Sequence, residues 1–170
     1  SVPDAAEDVN NGFSIAYNND GGSLSAPIKI LLFLTVITLA PSILIMLTSF
    51  TRIIVVLHFL RSAIGTQTSP PNQVLIGLAL FLTLFIMSPV FTQINEKAIK
   101  PLDAGEITQE EALEIGMEPL REFMFGQTQV KDINLFCEIA NVTYEDKEEI
   151  TNTVLIPAFI ISELRQAFII

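Results

Sequence analysis

The apolar run from Ala26 to Phe50 carries one charge, Lys29 near its start. As a helix it would reach about 35 Å, enough to cross a hydrocarbon layer of about 30 Å. A water-soluble fold has little use for a stretch of that length without polar interruption, so the first expectation is a transmembrane helix. The apolar pattern passes through Thr51 and Arg52 into Ile53–Leu60 and closes at Arg61. The spacing predicts a long helix from Pro27 to about Ala63, kinked at Pro41, where a backbone hydrogen bond is lost.

Gly65 is placed to end that helix, and Thr66–Asn72 to form a turn, because Pro70 and Pro71 cannot continue a helix and push Ser69 out of helical angles. A second apolar run, Val74–Met87, reaches only Ser88-Pro89 before Val90–Ile94 extends it. It is short for an independent span and suits a helix packed inside protein. Residues 26–94 therefore read as an apolar helical hairpin with its turn at 65–73, marked by Gly65, Pro70, Pro71 and Asn72.

Half of the 170 residues are hydrophobic, yet the formal net charge is -10. The two properties are segregated along the chain. Residues 1–25 hold Asp4, Glu7, Asp8 and Asp20 and no base, and read as a flexible acidic tail. Residues 95–153 hold fourteen acidic and five basic residues. Without clustered Lys and Arg, a nucleic-acid partner is excluded as an expectation.

Residues 95–153 are expected to form an acidic, amphipathic helical segment. Thr108-Gln-Glu-Glu111 matches a capping box, and Glu106, Glu110 and Glu111 suit the positive end of a helix dipole. Gly116 and Pro119 are read as punctuation between a short helix and a second one from about Glu118 to Gln129. Leu113, Gly116, Leu120 and Phe123/Met124 fall on one stripe. A third piece, Lys131–Asn141, puts Ile133, Phe136, Cys137 and Ala140 on one face. Residues 142–153 read as an exposed loop. Residues 154–170 turn apolar again and stop on Phe168-Ile-Ile170; they read as the start of a C-terminal membrane hairpin, apparently truncated.

Catalytic patterns are not apparent. His58 has no carboxylate near it in sequence and is assigned a packing or interfacial role. The lone Cys137 has no CxxC neighbour, and Glu145–Glu149, interrupted by Lys147, lacks the oxygen spacing of a calcium loop. No cofactor or metal is expected. Asn141-Val-Thr143 fits the glycosylation pattern, a motif too short to carry weight. Glu163 and Arg165 are sharper, because charge within an apolar helix costs about 2.5–3.5 kcal/mol on insertion scales and is usually kept for a partner or a path. At i, i+2 they point apart and need not pair with each other. An intersubunit salt bridge or a polar passage stands against simple snorkelling to an aqueous boundary. Phe123 and Phe136 are candidates for lining a channel, with core packing the simpler role.

The stretch Leu47–Pro89, with Thr48-Ser-Phe-Thr-Arg52, Gly65-Thr66, Ser69-Pro-Pro-Asn-Gln73 and Met87-Ser-Pro89, closely resembles the FliP family of flagellar type III export-gate proteins. Glu118-Pro-Leu-Arg121-Glu-Phe123-Met124, Ile156-Pro157-Ala158 and Ser162-Glu163-Leu164 extend the likeness to nearly everything after residue 26. The resemblance implies an all-α integral membrane protein of the bacterial inner membrane and flagellar basal body. It further implies a helical ring of five copies with FliQ and FliR, with FlhA and FlhB nearby, enclosing a channel for unfolded flagellar proteins. Members are made with a cleaved signal peptide, which fits the polar start, and are not enzymes. The family continues into a further hydrophobic hairpin whose methionine-rich loop forms the constriction. An injectisome export-gate homologue is the nearest alternative; an ion channel or transporter subunit would predict an internal repeat, and none is visible.

Overall fold

Apolar periodicity and the positions of glycine and proline set out a chain of helices, and the computed structural model describes residues 25–170. The expected flexible tail lies outside the described residues, apart from Ser25. The helices are α1 (Ala26–Met46), α2 (Phe50–Ala63), α3 (Asn72–Ile86), α4 (Ser88–Ile94), α5 (Lys100–Asp103), α6 (Gln109–Gln127), α7 (Val130–Ala140) and α8 (Asn152–Ile169). A π-helical turn, Asn95–Ile99, joins α4 to α5, and a 3-10 turn, Lys147–Glu149, precedes α8. Among the described residues there is no strand. The chain divides into two units at Ile43 and Leu44.

The first unit contains most of α1, which is 21 residues long with mean hydropathy 2.4 and no buried residue. At 1.5 Å per residue it reaches about 30 Å, the thickness of a bilayer's hydrocarbon. Pro41, where a kink is expected, lies inside this helix and does not end it: α1 runs on to Met46. Thr35 and Thr38 turn their hydroxyls back onto the Leu31 and Leu34 carbonyls at 2.7 and 3.0 Å, so even the polar side chains of this helix are satisfied by its own backbone.

The interruption comes instead at Leu47–Ser49, in the second unit. All three residues are buried, and Thr48 Oγ1 donates to the Ile45 carbonyl at 2.5 Å. Leu47 enters the main hydrophobic cluster with Met87, Leu120, Met124, Leu155 and Phe159. Burying Leu47 there is worth about 2 kcal/mol, which offsets the loss of helical continuity.

Helix α8 is the axis of this second unit, packing on α2, α6 and α7, while α2 also packs on α3. Its Val154, Leu155, Ala158, Phe159, Ser162, Glu163 and Ala167 are buried. Helices α3 and α4 meet at Met87, which is fully buried, with Pro89 in the first turn of α4 where a missing N–H costs nothing. The helix through α5 is bent from α3 by 62°. Helix α6 comes close to the π turn at Gly116, where an added Cβ would sit 3.4 Å from Ala98 Cβ, in contact with it.

Helix α6 overturns a second expectation. The chain runs unbroken from Gln109 to Gln127 with Pro119 inside, so Gly116 and Pro119 do not divide it into two helices. Pro119 is buried, and tertiary contact of this face compensates one lost backbone bond. The start is as read: Thr108 Oγ1 accepts from the Glu111 N–H at 3.2 Å. Leu113, assigned to the apolar stripe, is 75% exposed, whereas Leu120 and Met124 are buried. On α7, Ile133, Phe136 and Cys137 are half-buried and Ala140 is exposed. Asn141 ends α7 in the left-handed conformation (φ 55°), as an Asn can.

Candidate functional site

The second unit's two buried carboxylates, Glu163 and Asp132, lie where α8 meets the junction of α6 and α7. Glu163, with 1% of its side chain exposed, accepts from Arg52 Nη2 of α2 at 2.5 Å. The same Nη2 donates to Gln127 Oε1 at the end of α6. The residue before Glu163, Ser162, accepts through Oγ from the Gln129 backbone N–H at 3.0 Å and donates to Asp132 Oδ2 at 2.5 Å. Arg165 closes the group with a two-pronged contact on Asp132, Nη1 to Oδ2 at 2.6 Å and Nη2 to Oδ1 at 2.7 Å, and a further bond to Gln129 Oε1. Thus Gln129 and Asp132 are tied directly to α8, and Gln127 is tied to it through Arg52 of α2.

Geometry explains why the link holds its shape. Thr128 lies outside both helices with extended backbone, and its hydroxyl bonds back to the Met124 carbonyl. The free N–H groups at the start of α7 need acceptors; Ser162 supplies one to Gln129, and Asp132, in the first turn, suits the positive end of the dipole. The Arg165 guanidinium holds the Asp132 carboxyl below the ordinary carboxylate range against the opposing effect of burial, helped by the Ser162 hydroxyl. The cluster therefore keeps its charges paired and has no free nucleophile or base at its centre. What it can do is mechanical: hold four helices, α2, α6, α7 and α8, together with directional bonds.

Two other arginines act as local stitches. Arg61, 7% exposed, donates to Asn72 Oδ1 at 2.5 Å and to the Pro70 carbonyl at 3.4 Å, with a His58 ring nitrogen 3.1 Å from Nη2. This ties the end of α2 to the start of α3 across the turn, where Gly65 has φ +91° and Thr66 Oγ1 bonds the Ser69 carbonyl. Gly65, Pro70, Pro71 and Asn72 all lie in or beside that turn, with Asn72 the first residue of α3. Arg121 holds the start of α8 through Asn152 Oδ1 and the Ile150 carbonyl, both at 2.5 Å, and lies over the Phe125 ring.

Of the residues singled out from sequence, Glu163 and Arg165 are brought into the cluster but take different partners, as their spacing on the helix requires. Phe123 packs edge-on against fully buried Phe159, with ring centres 5.9 Å apart. Phe136 is half-buried on α7. Sequence reasoning missed Asp132, Ser162, Gln127 and Gln129. Asp132 had a visible signal, since it precedes Phe136 by four residues and so shares its inward face. The glutamines had none. Among the described residues, no group of three or more His, Cys, Asp or Glu side chains is placed to hold a metal ion.

This cluster joins segments that also carry the family phrases, and the likeness is measurable. The FliP family model matches residues 33–170. The chain belongs to the FliP family. It is 47% identical over 161 residues to the flagellar biosynthetic protein FliP of Bacillus subtilis (strain 168), covering 94% of this chain and 73% of that protein. To FliP of Pectobacterium carotovorum subsp. carotovorum it is 48% identical over 151 residues, 88% of this chain and 58% of the relative. To FliP of Aquifex aeolicus (strain VF5) it is 46% identical over 150 residues, 86% of this chain and 63% of the relative. The chain thus spans between 58% and 73% of these three FliP proteins. A FliP family member, the chain is helical over its described residues, and α1, with Lys29 as its one charge, is long and apolar enough to cross a membrane.

Proposed function

We propose that the chain contributes to the core of the flagellar type III export gate in the bacterial inner membrane, assembling in a ring of about five copies with FliQ and FliR, FlhA and FlhB nearby. In this reading residues 26–94 and 154–170 belong to the membrane-associated body and 95–153 to an acidic layer beside it. Unfolded flagellar proteins would pass through the ring, and the subunit itself would perform no hydrolysis.

The observation that carries this reading, beyond family membership, is a contrast within the second unit. Its two buried carboxylates, Glu163 and Asp132, are paired inside the chain, whereas apolar side chains stand exposed on α3 and α6, with Phe81 at 75%, Phe85 at 81% and Leu113 at 75%. A monomer in water does not tolerate apolar patches of this extent. Lipid or neighbouring subunits would cover them. Phe123 is engaged by Phe159, so within this proposal it acts as packing behind a wall, while Phe136, half-buried, is the better candidate for a surface between subunits. Glu163 and Arg165 act by holding the wall's helices in place.

The test is to co-express the complete gene with FliQ and FliR, purify in mild detergent and weigh the intact assembly by native mass spectrometry. A complex with several copies of this subunit and both partners is expected. A monomer or dimer that ignores FliQ and FliR would overturn the proposal.

A further inference from the structure

The acidic part of the chain contains a groove that the export-gate reading leaves without a role. Its volume is about 640 Å³, and it runs along α7 from Ile133 to Asn141 under the returning segment Val142–Ile150. Ile133, Cys137, Val142 and Ile150 give it an apolar floor, all half-buried, and exposed Glu138 stands on its rim. The returning segment carries exposed Glu145, Asp146, Glu148 and Glu149 close by in sequence, outside the groove's own lining. It is held in place from below: Arg121 bonds the Ile150 carbonyl, and the Glu145 N–H bonds Glu149 Oε2. The one base in the segment, Lys147, is turned onto the Phe125 ring at 4.7 Å.

We propose that this groove receives a basic amphipathic helix from another protein, its apolar side chains on the Ile133–Ile150 floor and its Lys or Arg side chains against Glu138 and the acids of the returning segment. Charge selects the occupant. An apolar floor alone would accept any greasy helix, but an acidic rim repels acidic ones and attracts basic ones. A second copy of this chain fits poorly. Its exposed bases outside the apolar runs, Lys97, Lys100 and Lys131, have Glu96, Asp103 and Asp132 close by in sequence, and on α2, the one described helix with two arginines and no acid, Arg61 is buried and Arg52 is paired with Glu163. The groove follows α7 over about 12 Å, so the contact is about two helical turns of the partner.

Cys137, the only cysteine in the chain, lies in the floor and reports occupancy directly. The full chain in lipid nanodiscs is treated with a maleimide, with and without a synthetic Lys/Leu amphipathic peptide of about 14 residues, a length of four turns. Protection of Cys137 is expected to appear with this peptide, to weaken as salt is raised, and to fall about tenfold in apparent affinity in Glu138→Lys/Glu149→Lys. The control Glu110→Lys/Glu111→Lys, on the exposed first turn of α6, carries the same change in net charge and should keep the protection. Three results would overturn the inference: labelling unaffected by the peptide, equal protection by a scrambled peptide of the same composition, or protection that grows with protein concentration alone, which would mean a second copy fills the groove. None of these depends on whether FliQ and FliR bind.

Discussion

At the scale of single residues, Ser162 is the hinge pin of the buried cluster because one hydroxyl serves as acceptor for Gln129 and donor to Asp132. Ser162→Ala should cost about 1–3 kcal/mol, the penalty for leaving a buried donor and acceptor unmet, read as a lower midpoint in chemical denaturation in detergent. Asp132 makes the cluster pH-dependent. Its folded-state pKa lies below the usual value of about 3.9, so its stabilising contribution is fully present above that pH and is lost as pH falls through the lower folded value. Asp132→Asn should therefore lower the thermal midpoint at pH 7 and flatten the loss of stability below about pH 4 that the parent chain shows. These partners were not legible in the sequence. Arg52 and Glu163 are 111 positions apart and Asp132 and Arg165 are 33 apart, and no local pattern pairs charges across such distances. What the sequence offered at Glu163 and Arg165 was a choice between a charge held for a partner in another subunit or a passage and one snorkelling to an aqueous boundary.

At the scale of elements, legibility followed how local the physics is. The turn between α2 and α3 was readable because Gly65, Pro70 and Pro71 each restrict their own backbone, and no distant contact overrides them. Pro119 was misread for the converse reason: its local preference to end a helix is outweighed by burial of that face of α6. Leu47–Ser49 was misread likewise, since its break follows from a core that forms only when α8 and α6 arrive. Asn141 gives a clean element-level test. With φ 55°, Asn141→Ala should destabilise by about 1 kcal/mol because an added Cβ is strained there, whereas Asn141→Gly should change stability by only a few tenths. Thermal unfolding of the two variants side by side would check it.

At the scale of the whole molecule, segregation of apolar and acidic residues gave the class correctly: all-α, with an apolar helix of membrane length. How the second unit arranges its helices around α8 was beyond reach, because apolar runs of similar composition are interchangeable to a sequence reader and only packing distinguishes an axis from a wall. The exposed apolar surface predicts a specific sensitivity. Phe85→Arg, at a side chain 81% exposed, should sharply reduce membrane-fraction yield or assembly, since a charge at a lipid-facing or subunit-facing site costs about 3 kcal/mol. Gln67→Arg, in the exposed turn, should leave the yield unchanged.

The π turn at Asn95–Ile99 behaves as a phase shifter. It holds one residue more than an α-helical turn would, and that surplus sets the rotation at which Ala98 meets Gly116. Removing one residue from it would let the backbone relax into plain helix, leaving the helix beyond little rotated but redirecting the side chains of the turn itself, Ala98 among them. Alanine at exposed Asn95 or Glu96 should thus be harmless, while deletion of either should loosen the seat of α6 on the turn, read as a lower thermal midpoint. Here the chain is specified by its count, not by its chemistry.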